Sequence, residues 1–179
     1  MQAQDILDFW FDPNHRSLWF AKSDAFDDKI REQFQIIHQQ ASQAELWSWR
    51  KIPEGRLAEI IVLDQFSRNI YRDQAQAFAY DSLALALAQE AISLQLDAQL
   101  SPEQRSFLYM PFMHSESKLM HEYALKLFQR LGNEINLSFA KKHKIIIDRF
   151  GRYPHRNEIL GRTSTAEELE FLTQPNSSF

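Results

Sequence analysis

Arg56-Leu-Ala-Glu-Ile-Ile-Val-Leu-Asp-Gln-Phe-Ser-Arg-Asn-Ile70 decides the fold class. Leu57, Ile60, Ile61, Val62, Leu63 and Phe66 surround its helical axis, and a helix that is apolar on every side sits at the centre of a domain rather than on its surface. The same stretch carries Asp64, Gln65, Arg68 and Asn69. At 100° per residue Asp64 and Arg68 share a face with Leu57 and Ile61, and their i, i+4 spacing lets them pair. On a surface that pair would be worth tenths of a kcal/mol; in a buried helix the charges need partners or a ligand.

Amphipathic helical segments flank this centre. Asp5 to Phe11 is a short apolar helix stopped by Asp12-Pro13, and Ser23 opens a helix with Phe26, Ile30, Phe34 and Ile37 inward and His38 at its boundary. Pro53 suits the first position of the central helix, where its missing N–H is no loss. Tyr80 to Leu96 is a helix with Leu83, Leu87, Ala91 and Leu94 on one stripe. Ser101-Pro102-Glu103-Gln104 is a helix start with a capping box. Pro111 should break or kink the helix that follows, because a proline inside a helix costs about 3 kcal/mol.

The next helix runs to Leu131, with Leu119, Met120, Tyr123, Leu127 and Phe128 expected inward and Gly132 as its cap. Asn136 is expected to cap the last long helix, which ends at Gly151 ahead of Pro154. Thr165-Ala-Glu-Glu168 is a capping box for a small terminal helix, and 174–179 should fray. No strand-like alternation appears. The expected architecture is all-α: a single domain, 1–179, of packed antiparallel helices.

Composition agrees. A chain of 179 residues buries about 70% of its unfolded surface. With 14 Phe and 4 Trp against 4 Gly, side-chain packing dominates its folding. The absence of Cys excludes disulfides, thiolate nucleophiles and Cys-ligated metals. No secretory signal or ~20-residue apolar span is legible, so a cytoplasmic protein with no membrane partner is expected.

Net charge is −4, yet Lys141 to Arg162 holds seven basic residues against Asp148 and Glu158, a local +5 that leaves −9 elsewhere. An acidic protein is a poor general binder of nucleic acid, but a local anion site fits. Arg149-Phe-Gly-Arg-Tyr-Pro-His-Arg-Asn157 is its natural place. Arginines at a helix end gain from the macrodipole without any ligand, whereas a turn opened by Pro154 beside Arg152, His155 and Arg156 could hold a phosphate or carboxylate.

His114-Ser-Glu116 could supply a general acid or base. A Ser–His–Glu nucleophilic set is unsupported, since no Gly-x-Ser-x-Gly elbow is present. His121-Glu122 lacks the second His of a zincin, so no metal is expected. The candidate catalytic residues are therefore His114, Glu116 and His155. The candidate ligand-binding residues are Asp64, Arg68, Asn69, Arg152, Arg156 and Asn157, with no cofactor.

Leu63-Asp-Gln-Phe-Ser-Arg-Asn-Ile-Tyr71, Phe78-Ala-Tyr-Asp81, Met110-Pro-Phe-Met-His-Ser-Glu116 and Arg149 to Asn157 with Leu160-Gly-Arg162 resemble the signatures of the domain of unknown function 924 family. Asp8-Phe-Trp-Phe11 and Trp19-Phe20 match as well. The resemblance implies a tetratricopeptide-like helical fold and carries no catalytic roles. Ser67 stands where that family more often has Pro, and Ser117 where it more often has an acid, which weakens a paired-carboxylate mechanism at Glu116. The expected function is binding of a small anionic, phosphate- or carboxylate-bearing molecule, with a peptide- or protein-interaction scaffold as the alternative.

Overall fold

The computed structural model describes residues 1–175 and 177–178, and among them every regular element is helical. Contacts divide the chain into two compact units. The first is Met1–Arg72 with Gln76–Pro111, and the second is Asp73–Ala75 with Phe112–Phe179.

In the first unit, α3 (Pro53–Ile61) continues through a single π-helical turn, Val62–Phe66, into α4 (Ser67–Ile70). Leu57, Ala58, Ile60 to Leu63 and Phe66 are fully buried, as the all-round apolar pattern requires. Around this axis pack α1 (Ala3–Trp10), α2 (Asp24–Ser42) and α5 (Asp81–Ser93). Trp10 is wedged edge-on between Phe66 at 5.6 Å and Phe107 at 5.6 Å, and the Trp19 indole N–H donates to the Trp10 carbonyl at 2.8 Å. These contacts tie the N-terminus to the central helix and to α6 (Pro102–His114).

The local signals for helix starts act as expected. Ser23 accepts from the Phe26 N–H, Pro53 occupies the first turn of α3, and Ser101 and Gln104 cap each other's backbone. Three readings are corrected. The helix does not break at Pro111 but continues to His114, because Phe107, Leu108, Met110, Phe112 and Met113 are all buried and their packing outweighs one lost backbone hydrogen bond. Leu119 and Tyr123 are 55% and 47% exposed. The inward face of α7 (Lys118–Leu131) is instead His121, Ala124, Leu127 and Phe128, a better match to helical spacing. The cap of α8 (Glu134–Phe150) is Asn133, which accepts from the N–H groups of Ile135 and Asn136, because the chain re-enters helix directly after Gly132.

Gly132, Gly151 and Gly161 all have positive φ, and the first two end α7 and α8. In the second unit α7 and α8 pack along each other, followed by the short turn Pro154–Arg156 and α9 (Ala166–Leu172). Of the tail expected over 174–179, Asn176 and Phe179 lie outside the described residues; Ser177 is buried and its hydroxyl donates to the Leu172 carbonyl.

Gly55 marks the tightest backbone approach. A Cβ there would lie 2.0 Å from the Trp49 carbonyl oxygen. The neighbour is backbone, so it cannot swing away. Gly55→Ala should therefore lower stability by about 2 kcal/mol or more, read as a Tm drop of about 4–8 °C; an unchanged Tm would show that the Trp49 segment yields freely.

Candidate functional site

The charged residues of the central helix answer first to one another. Asp64 is buried within the π turn, where its carboxylate accepts from Gln65 Nε2 at 2.5 Å and pairs with Arg68 Nη1 at 3.3 Å. Arg68 also donates to the Asp64 carbonyl at 2.6 Å and grips Asp81 through two bonds at 2.9 and 3.1 Å. A π turn loosens the regular helical ladder, and here the carbonyls of Leu63 and Asp64 accept side-chain hydrogen bonds from Ser67 and Arg68. Asn69 donates to Asp27, which also takes two bonds from Arg72.

Ser67 and His38 lie 2.7 Å apart, a distance that invites a nucleophile reading. The proton inventory argues otherwise. The Leu63 carbonyl can only accept, so the Ser67 hydroxyl donates to it, and His38 Nε2–H must donate to Ser67 Oγ. The imidazole therefore offers no base to this hydroxyl, and burial holds it neutral with its pKa pushed down to about 4. Both residues are buried, and the pair is a core polar contact.

In the second unit the arginines flagged in the sequence separate into two roles. Arg152 forms a two-pronged pair with Glu168 at 2.7 and 2.8 Å and also donates to the Thr163 carbonyl. Arg162, between Leu160-Gly161 and α9, forms a second such pair with Glu116 at 2.6 and 2.9 Å. Asn157 links the two, donating to Ser164 and Glu168 and accepting from Arg162 Nε. The hydrogen bond from Arg152, with the Thr165 backbone, carries the Glu168 carboxyl down to about 2 against its burial. Burial alone would raise Glu116, but Arg162 and the Tyr153 N–H outweigh it and hold the group below its usual range. Glu116 is thus committed to the Arg162 fork, and Arg152, Asn157 and Glu168 form the frame of the turn.

That frame holds up Tyr153, which is fully buried and has three histidines and an arginine around it, with a fourth histidine next to one of them. The Arg156 guanidinium lies 4.6 Å from the ring centre. The rings of His155, His143 and His121 lie at 5.5, 5.7 and 6.2 Å, and His114 is 6.4 Å from His143. The Tyr153 hydroxyl donates to the Met113 carbonyl at 2.5 Å and leaves its oxygen 3.3 Å from His121 Nε2, whose proton goes to the Ser115 carbonyl. His143 donates from Nδ1 to the Phe139 carbonyl one turn back, which turns Nε2 away from its own helix. Burial, then the neighbouring His114, pushes His143 down to about 3; burial also lowers His121.

His114 and His155 are half-buried, while His121, His143, Tyr153 and Arg156 are buried. His121, His143 and Tyr153 were not singled out as site residues from the sequence. The signal available for His143 was its place on the inward stripe of α8 with Ala140 and Ile147. Among the described residues no three His, Asp or Glu side chains are arranged to share a metal ion, and no helix is long and apolar enough to cross a membrane.

Residues 6–176 match the family model for bacterial proteins of unknown function termed DUF924. The chain belongs to this family. It is also similar to a solved structure from Agrobacterium tumefaciens, the protein of unknown function ATU0120. The two are 40% identical over 95% of this chain and 96% of the other, with a TM-score of 0.90. Comparison with curated proteins gives no match. This DUF924 member therefore has its helical fold in common with a solved relative, and its chemistry has to be argued from its own residues.

The buried histidines set a pH dependence of stability. His38, His121 and His143 have folded pKa values below the ordinary 6.5, so the unfolded chain binds more protons as pH falls. Their stability contribution is full above pH 6.5 and is lost as pH drops from there toward their folded values, at up to ~1.4 kcal/mol per pH unit for each. Urea unfolding at pH 7.5 and 5.5 should show this loss, and His38→Gln should reduce its slope. Equal stability at the two pH values would mean that these rings charge freely in the fold.

Proposed function

We propose that this family member binds a small phosphate- or carboxylate-bearing molecule at the histidine-rich face of its second unit, through Arg156 and the half-buried His114 and His155. The observation that carries the reading is the convergence of three imidazoles and one guanidinium on the single ring of Tyr153, with a fourth imidazole, His114, against His143. An arginine supplies two parallel donors to an oxyanion, and imidazole N–H groups add charge-assisted bonds when protonated. Arg152, Arg162 and Asn157 support the site without belonging to it, because their donors are spent on Glu168, Glu116, Thr163 and Ser164. Asp64, Arg68 and Asn69 are left outside it: Asp64 and Asp81 face one guanidinium there, and Asn69 serves Asp27, surroundings that disfavour an anion.

A thermal-shift screen with inorganic phosphate, pyrophosphate, citrate and sugar phosphates tests the reading. A ligand at about 100 times its Kd stabilises by about 2.7 kcal/mol, which raises Tm by several degrees. His155→Gln and Arg156→Gln should weaken that response about tenfold or more, the loss of a charge-assisted bond. Arg152→Gln should lower the starting Tm, by stranding Glu168, and still respond. The reading fails if no anion stabilises the wild type, or if Arg152→Gln abolishes the response while His155→Gln keeps it.

A further inference from the structure

The second unit carries another surface that the histidine face does not use. α7 and α8 form a hairpin that turns at Gly132 and Asn133. The buried stripes, His121, Ala124 and Phe128 on one helix and Ala140, His143 and Ile147 on the other, fix the inward direction of each. At 100° per residue, Leu119, Tyr123, Lys126 and Arg130 lie on the opposite side of α7, and Ile135, Lys142 and Ile145 on the side of α8 away from its stripe, with Phe139 at the stripe's flank. All eight are exposed.

Counting outward from the turn sets Arg130 beside Ile135, Lys126 beside Phe139, Tyr123 beside Lys142 and Leu119 beside Ile145. Basic residues thus face apolar ones across the hairpin over the three pairs nearest its turn, and Leu119 and Ile145 add an apolar pair at the far end. Each exposed ring has a lysine of its own helix over it, Lys126 at 5.4 Å from the Tyr123 centre and Lys142 at 5.2 Å from the Phe139 centre. Lys118, Lys126, Arg130, Lys141 and Lys142 make no ion pair among the described residues, and Glu122 and Glu134 are the exposed acids near them. Asp148 is engaged by Lys144.

We infer that this face of the α7–α8 hairpin receives an acidic amphipathic helix of a partner protein. Two helices packed side by side leave a groove between their ridges into which a third helix fits, and apolar anchors four residues apart on each wall match its i, i+3, i+4, i+7 stripe. The surplus of unpaired ammonium and guanidinium groups selects acidic flanks on that helix. A second copy of this chain fits poorly, because a two-fold interface on this face would set the same lysines against themselves. An extended anionic surface, a bilayer or a nucleic acid, would also meet the −9 carried outside Lys141 to Arg162, whereas a short helix meets only the local charge.

The test uses the full chain and a fluorescein-labelled amphipathic peptide of Leu, Ala and Glu, about 18 residues or five helical turns long, with a Lys-for-Glu counterpart as control. Anisotropy should show the acidic peptide binding at least about tenfold tighter than the basic one, and weakening as salt is raised. Lys126→Glu with Lys142→Glu, and separately Tyr123→Ser with Phe139→Ser, should each weaken binding about tenfold or more. These positions are exposed, so circular dichroism should be unchanged. Equal binding of the two peptides, or undiminished binding by the charge-reversed protein, overturns the inference. So does capture of the protein by phosphatidylserine vesicles when the peptide does not bind, or self-association that Tyr123→Ser abolishes.

Discussion

A carboxylate taken out of water needs a cation held in good geometry, and this requirement shapes both units. Asp27, Glu59, Asp64 and Glu168 are buried acids, and each meets an arginine: Arg72, Arg50, Arg68 and Arg152 in turn. Three of these partners are distant in sequence, so the pairs act as cross-links between segments. Arg50 Nε and Nη2 reach the fully buried Glu59 at 2.6 Å each and fix the turn Trp47–Lys51 to α3. Arg72 fastens the end of the central helix to α2 through Asp27. Removing one member of such a pair strands the other, which is why these residue types cannot drift independently.

The same constraint explains what the sequence disclosed and what it hid. Caps are local, so Ser23, Pro53, Ser101, Gly132, Gly151 and Thr165 were legible from a few neighbouring residues. The all-round apolar run from Leu57 to Phe66 revealed the buried axis for the same reason. The π turn inside it was not legible, since the ring of partners around Asp64 that accompanies it includes Asp81, thirteen residues beyond Arg68. Pro111 misled because a local penalty was weighed without the burial of five neighbours. Leu119 and Tyr123 misled because α7 has apolar residues on both sides, and only the packing of α8 chooses between them.

At the candidate site the residue types were visible and their division of labour was not. Arg152, Arg156 and Arg162 look alike in a basic run. Glu168 was legible as the closing residue of a capping box, and it does close that box on Thr165. It also receives Arg152 and Asn157, a second duty that no local rule reveals. Glu116 was read as a companion of His114, yet its oxygens go to Arg162 and to the Tyr153 N–H, some 40 residues along the chain. His121 and His143 were hidden because a histidine on an inward stripe is ordinarily a packed core residue.

These assignments together give the turn after α8 a mechanical logic. Gly151, with φ at 71°, stops the helix. Glu116 then takes the Tyr153 N–H and Asn157 takes Arg162, while the N–H of Arg162 returns to the Asn157 carbonyl. The turn is therefore held at its backbone, by charged forks and by the Tyr153 hydroxyl on the Met113 carbonyl, while the Tyr153 ring lies against His121 and His143 with His155 and Arg156 packed on it. The charged forks that brace the turn and the histidine packed beside them thus share one stretch of a dozen residues, from Gly151 to Arg162.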